Sequence, residues 1–184
     1  MDEVLAAFSR QVRARSTENR RALEQLVPAR TYGNVVGILR QELDSMVRVM
    51  YLLSVRDRHQ RSALLAASIA GERWRDDRGI VTDRRMVELA DSLHGWAKSV
   101  YDFGCAFIHL SSFHDYETRN PLELVTSDER EAILRHMRNY HHGPQSDHPT
   151  FEELASYLPA VFDKVSGNLD CYLKELESNG DLER

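Results

Sequence analysis

Residues 31–55 read TYGNVVGILRQELDSMVRVMYLLSV, and the spacing of their apolar side chains decides the fold class. At about 100° per residue, Val35, Ile38, Leu39, Leu43, Met46, Val47, Val49, Met50 and Leu53 cover one wide arc of a helix. Asn34, Gln41, Asp44, Ser45 and Arg48 fall on the other side, which this pattern assigns to solvent. Glu42 breaks the rule, because it lies inside the apolar arc between Ile38 and Met46. Arg40 sits at the arc's margin beside Val36, Leu43 and Val47. A carboxylate on a core face needs a cationic or hydrogen-bonding partner from another helix, since burying it alone costs several kcal/mol. Glu42 is then either half of an interior pair that fixes helix register or a member of a polar site between helices.

The same periodicity extends in both directions. Residues 2–27 place Val4, Leu5, Phe8, Val12, Leu23 and Leu26 at helical steps, and Pro28 ends them. A third helix is expected over residues 58–74, followed by RDDRG as a polar loop. Thr82 caps a helix that reaches His94 and Gly95, breaks or weakens there, and continues to about Tyr116. DYETRNPLELVT reads as a surface connection, and Ser127 caps a short helix that Gly143 and Pro144 stop. Thr150 and Glu153 form a capping box that opens the last helical region, where Pro159 forces a kink or restart before Ser178. Strand signals are nearly absent. The expectation is a single all-α domain over 1–184, with a core bundle at 30–116 plus 150–177 and a connection with one short helix at 117–149.

Composition narrows the function classes. Apolar residues make up 42% and charged residues 29%, and the net charge of −5 supplies no global basic field for nucleic acid. Any RNA contact must rest on a local patch. Two cysteines, Cys105 and Cys171, are too few for a disulfide framework or a thiolate metal site. The opening MDEVLAAFSRQVRAR has no apolar run of signal-peptide length, and no run nears the ~20 residues that span a bilayer. A cytoplasmic protein without a membrane segment is expected.

CAFIHLSSFHDY, residues 105–116, carries the histidines of most interest. On a regular helix Trp96, Phe103, Phe107, Leu110 and His114 share a stripe, while His109 points about 140° away with Lys98 and Asp102. His114 is therefore expected to face the core, either as a satisfied packing residue or as a working one, with Ser111 one turn before it. Helical di-metal sites need Glu-x-x-His pairs on facing helices, which are missing; Asp91-x-x-His94 is the nearest approach. No metal or other cofactor is expected.

Leu39-Arg40-x-Glu42 followed by Leu110-Ser111-Ser112-Phe113-His114 resembles the HEPN superfamily, over roughly residues 30–116 with a final helix near 150–177. The resemblance implies an antiparallel helical bundle, often dimeric, and metal-independent ribonuclease chemistry of the kind found in toxin–antitoxin and phage-defence systems. In that setting His114 would be the acid/base, Arg40 the phosphate clamp and Glu42 the residue orienting one of them, with Ser111 beside them. RNA, an antitoxin or another partner protein, and a second copy of the chain are the implied partners. The alternative is a non-catalytic helical module that binds a partner protein or a nucleotide. The family's active nucleases carry Arg, a polar residue, and His after four to six residues; here that spacing occurs at Arg135 and His141 rather than before His114. The apolar residues of 96–114, including Cys105, Ala106, Ile108 and Phe113, point to a homodimer through this segment.

Overall fold

The computed structural model describes residues 3–182. It is all-α: helices α1 (Glu3–Leu26), α2 (Tyr32–Ser54), α3 (Arg58–Ile69), α4 (Asp83–His94), α5 (Ala97–Ile108), α6 (Ser127–His141), α7 (Phe151–Ala155) and α8 (Leu158–Glu177), plus a two-residue-per-strand hairpin, β1 (Arg75–Asp76) and β2 (Gly79–Ile80). The expected start of the first helix at Asp2 lies outside the described residues. No helix among them is long and apolar enough to cross a membrane.

Helix α2 is the axis of the bundle, with α1, α4, α5 and α8 packed around it. Its encirclement corrects the expectation of a solvated face. Ser45 is buried and Asp44 nearly so, because α1 and α4 cover the side that periodicity assigns to water. The polar residues there pair with one another. Asp44 accepts from Arg15 of α1 and Arg48 at 3.2 Å each, and Arg48 reaches Asp83 of α4 at 3.0 Å.

Three boundaries differ from those expected of the sequence. The third helix stops at Ile69, and RDDRG is the turn of the hairpin rather than a plain loop. There Asp76 accepts from Tyr51 at 2.7 Å and from both terminal nitrogens of Arg85. Arg85, helped by Tyr51, holds the Asp76 carboxyl well below the usual carboxylate range. The second difference is larger. Helix α5 ends at Ile108, and His114 is not part of it. The α6 cap is Thr126, one residue before the expected Ser127. At Gly95 the chain breaks fully, with φ of 68°, and Pro159 restarts the last helix after α7.

Candidate functional site

Glu42 is fully buried at 0% exposure. Its Oε1 accepts from the Ser16 hydroxyl at 2.5 Å and its Oε2 from the Asn19 amide at 2.9 Å, both from α1. These are neutral donors, so the cluster is a closed polar lock between α1 and α2. Arg40 projects the other way, toward α4 and α5. Its guanidinium lies 3.9 Å from the Tyr101 ring centre, 3.8 Å from Asp83 and 4.0 Å from Asp44. Its side chain is buried, and Nε finds no partner. Gly104 gives the Arg40 stem its room, since a Cβ there would stand 2.7 Å from the Arg40 Cβ.

His114 belongs to neither place. Ser111 terminates the apolar segment by capping a short 3-10 turn, Ser112–Asp115. Its hydroxyl donates to the Ala106 carbonyl at 2.6 Å and accepts from Phe113 N at 3.2 Å. The His114 Nδ1 accepts from the Ser111 N–H at 3.3 Å, the role a glutamate takes in an ordinary capping box. The expected core row therefore fails at its end: His114 is exposed, and Leu110 is 94% exposed. Ser111 is bonded to backbone, not activated by His114. Arg40, Glu42 and His114 share no partner and do not converge. Arg135 and His141 also diverge, six residues apart on α6 and so about 120° apart in direction.

What the turn does build is a groove. The segment after His114 runs back across the start of α2 and meets the chain entering α7. A cavity of about 480 Å³ opens there, lined by Arg30, Tyr32, Tyr116, Glu117, Arg119 and Phe151, among others. Phe151 is the buried floor, edge-on to Tyr32 at 6.0 Å, 5.4 Å from Tyr116, and stacked on Phe107 at 5.5 Å. Asn120 ties the two walls by donating to the Pro149 carbonyl at 2.7 Å. Gly33 lets Tyr116 lie close to α2, because a Cβ there would meet the ring at 3.3 Å.

Two guanidinium groups stand on the rim. Arg30, in the left-handed turn at φ 56°, pairs with Glu152 at 3.1 Å, and both side chains are more than half exposed. Arg119 has no side-chain partner among the described residues, and only its backbone bonds, to the Asp115 carbonyl. The sequence places Tyr116, Arg119 and Asn120 in a surface connection, and periodicity assigns them no role. The run Tyr-x-x-Arg-Asn-Pro, aromatic, basic and turn-forming, is the signal that could have singled them out.

Among the described residues no group of three or more His, Cys, Asp or Glu is arranged to hold a metal ion. Comparison with family models, curated proteins and solved structures returns no match for the chain.

Proposed function

We propose that the protein is an HEPN-like helical module that binds a nucleotide or a short single-stranded RNA segment in the groove between Tyr116 and Arg119 on one side and Arg30 and Tyr32 on the other. One observation carries this reading: a groove of small-ligand size combines half-buried aromatic rings with an unpaired guanidinium. Single strands are held by rings that stack bases and cations that meet phosphates, with stacking contributing about 1–3 kcal/mol per base. With a net charge of −5 any nucleic-acid contact must be local, and here it would rest on Arg119 and Arg30, set against Glu117 and Glu152.

Fluorescence anisotropy with a labelled RNA oligonucleotide tests it. Arg119→Ala is expected to weaken binding about tenfold, equivalent to about 1.4 kcal/mol. Tyr116→Ala is expected to weaken it at least as much, while Arg84→Ala, an exposed arginine on α4 paired with Glu88, leaves it unchanged. Equal losses in all three variants, or no binding by the wild type, would sink the reading.

A second reading, metal-independent cleavage, has its own observation. The exposed His114 has Nδ1 engaged by Ser111 and Nε2 without a partner, two residues before Tyr116. Incubating RNA with the protein in EDTA decides it: cleavage lost in His114→Ala supports the nuclease, and intact RNA removes it. A homodimer, if formed, would use the exposed Ile108 and Leu110 at the end of α5, and light scattering reports it directly.

A further inference from the structure

Away from the groove, two imidazoles flank Trp96 and a third adjoins one of them. His94, the last residue of α4, stacks on the indole at 5.4 Å, and its Nε2 lies 2.8 Å from the Tyr172 hydroxyl of α8. His136 of α6 approaches the same indole at 5.8 Å, and the His136 ring itself has Tyr140 at 4.8 Å and His141 at 5.5 Å. From α8, Lys164, Asn168 and Tyr172 are spaced four residues apart and so share one face.

Two features of this cluster are unusual. Buried polar atoms are nearly always hydrogen-bonded, yet His141 Nε2 and Asn168 Nδ2 are both buried without a partner. The charged or titratable groups acting on the rings are the rings themselves, Lys164 and His142, with Cys171 acting on Tyr172; none is a carboxylate. A concentration of nitrogen donors with orphaned members and no counter-charge is the arrangement that an oxyanion completes.

We propose that His136, His141, Lys164 and Asn168 form a binding site for a phosphate-class oxyanion between α6 and α8. Its oxygens would accept from the Asn168 amide, the Lys164 ammonium and the imidazole N–H groups, satisfying both orphaned atoms. Opposing this, His94 and His141 close their helices, and helix C-termini disfavour an anion. Hydrogen bonds to a charged group are about twice as strong as neutral ones, so two or three outweigh the helix ends. Anion binding also favours the imidazolium forms, so affinity rises as pH falls. Burial, with His141 and Lys164 nearby, pushes His136 down to about 4.

The test follows histidine ring C–H resonances by NMR across pH 4–8, in chloride, in inorganic phosphate at matched ionic strength, and in a 5′-mononucleotide. The proposal expects phosphate to raise the His136 and His141 midpoints by about one unit, with binding about tenfold tighter for each such unit. Lys164→Met and Asn168→Ala should each abolish the shift, while Lys98→Met on α5 preserves it. Lys164 is exposed, so its loss should leave the fold intact. A shift with inorganic phosphate alone assigns a free oxyanion, and a shift with the mononucleotide as well assigns the phosphomonoester group. Unchanged midpoints with both ligands, or a shift that survives Lys164→Met and Asn168→Ala, overturns the proposal. Arg119→Ala separates this site from the RNA groove, because it should weaken RNA binding and leave the histidine midpoints unmoved.

Discussion

Glu42 shows how much one residue can reveal. Its position inside an apolar arc marks it as partnered from the sequence alone, and the folded chain supplies Ser16 and Asn19. Those partners are not legible in the sequence, because on α1 a serine and an asparagine look like an ordinary solvated face. Glu42→Ala would leave the buried Asn19 amide unpaired, and a loss of about 3 kcal/mol in urea unfolding is expected. Glu42→Gln keeps an acceptor for Asn19 and should lose about 1 kcal/mol. Neither change should alter RNA affinity, and a selective loss of binding would restore Glu42 to the functional site. His114 is the opposite case. Its apolar neighbours fit a helical stripe, but Ser111 offers the backbone a local hydrogen-bond partner and ends the helix first. The spacing Ser-x-x-His is the clue, readable only if histidine is admitted in place of glutamate in the capping box.

Among the elements, two helical glycines carry opposite expectations, one in the α5–α2 contact and one facing open space. Gly104→Ala gains about 1 kcal/mol of helix propensity but places a Cβ against the Arg40 stem, which is fixed to its own backbone. Overpacking of that kind costs about 1–3 kcal/mol, so the net change should be destabilising. Gly37→Ala on α2 meets nothing within 4 Å and should stabilise by about 0.5–1 kcal/mol. Thermal unfolding of the two variants checks both signs, and a stabilised Gly104→Ala would contradict the close approach. Helix α6 carries a pH dependence. Unfolded histidine takes a proton near pH 6.5, while burial and the neighbouring cations keep folded His136 neutral down to about 4. The stability is present above 6.5 and falls as pH drops toward 4, at up to about 1.4 kcal/mol per pH unit for each withheld proton. Urea midpoints in chloride should therefore decline across that window, and His136→Phe should flatten the decline. This cluster is beyond sequence reasoning, because residues from α4, α6 and α8 meet only once the bundle is closed.

For the whole molecule, the all-α architecture is written in the periodicity of residues 31–55 and their neighbours, because a helix stripe states its own burial. The groove is not, since its walls come from the turn into α2, the segment after α5 and the entry to α7. Its charge is balanced rather than basic, with Arg30 and Arg119 set against Glu117 and Glu152. Glu152→Gln should therefore tighten RNA binding by up to about fivefold, since an exposed ion pair of about 0.2–1 kcal/mol no longer competes for Arg30. Whether RNA sits in this groove is decided by the salt dependence of its binding, measured by anisotropy in EDTA for the wild type and Arg119→Ala side by side. With two arginines on phosphates, log affinity against log salt should have a slope of about −1.4, falling to about −0.7 when Arg119 is removed. An affinity and slope unchanged by Arg119→Ala would contradict the account.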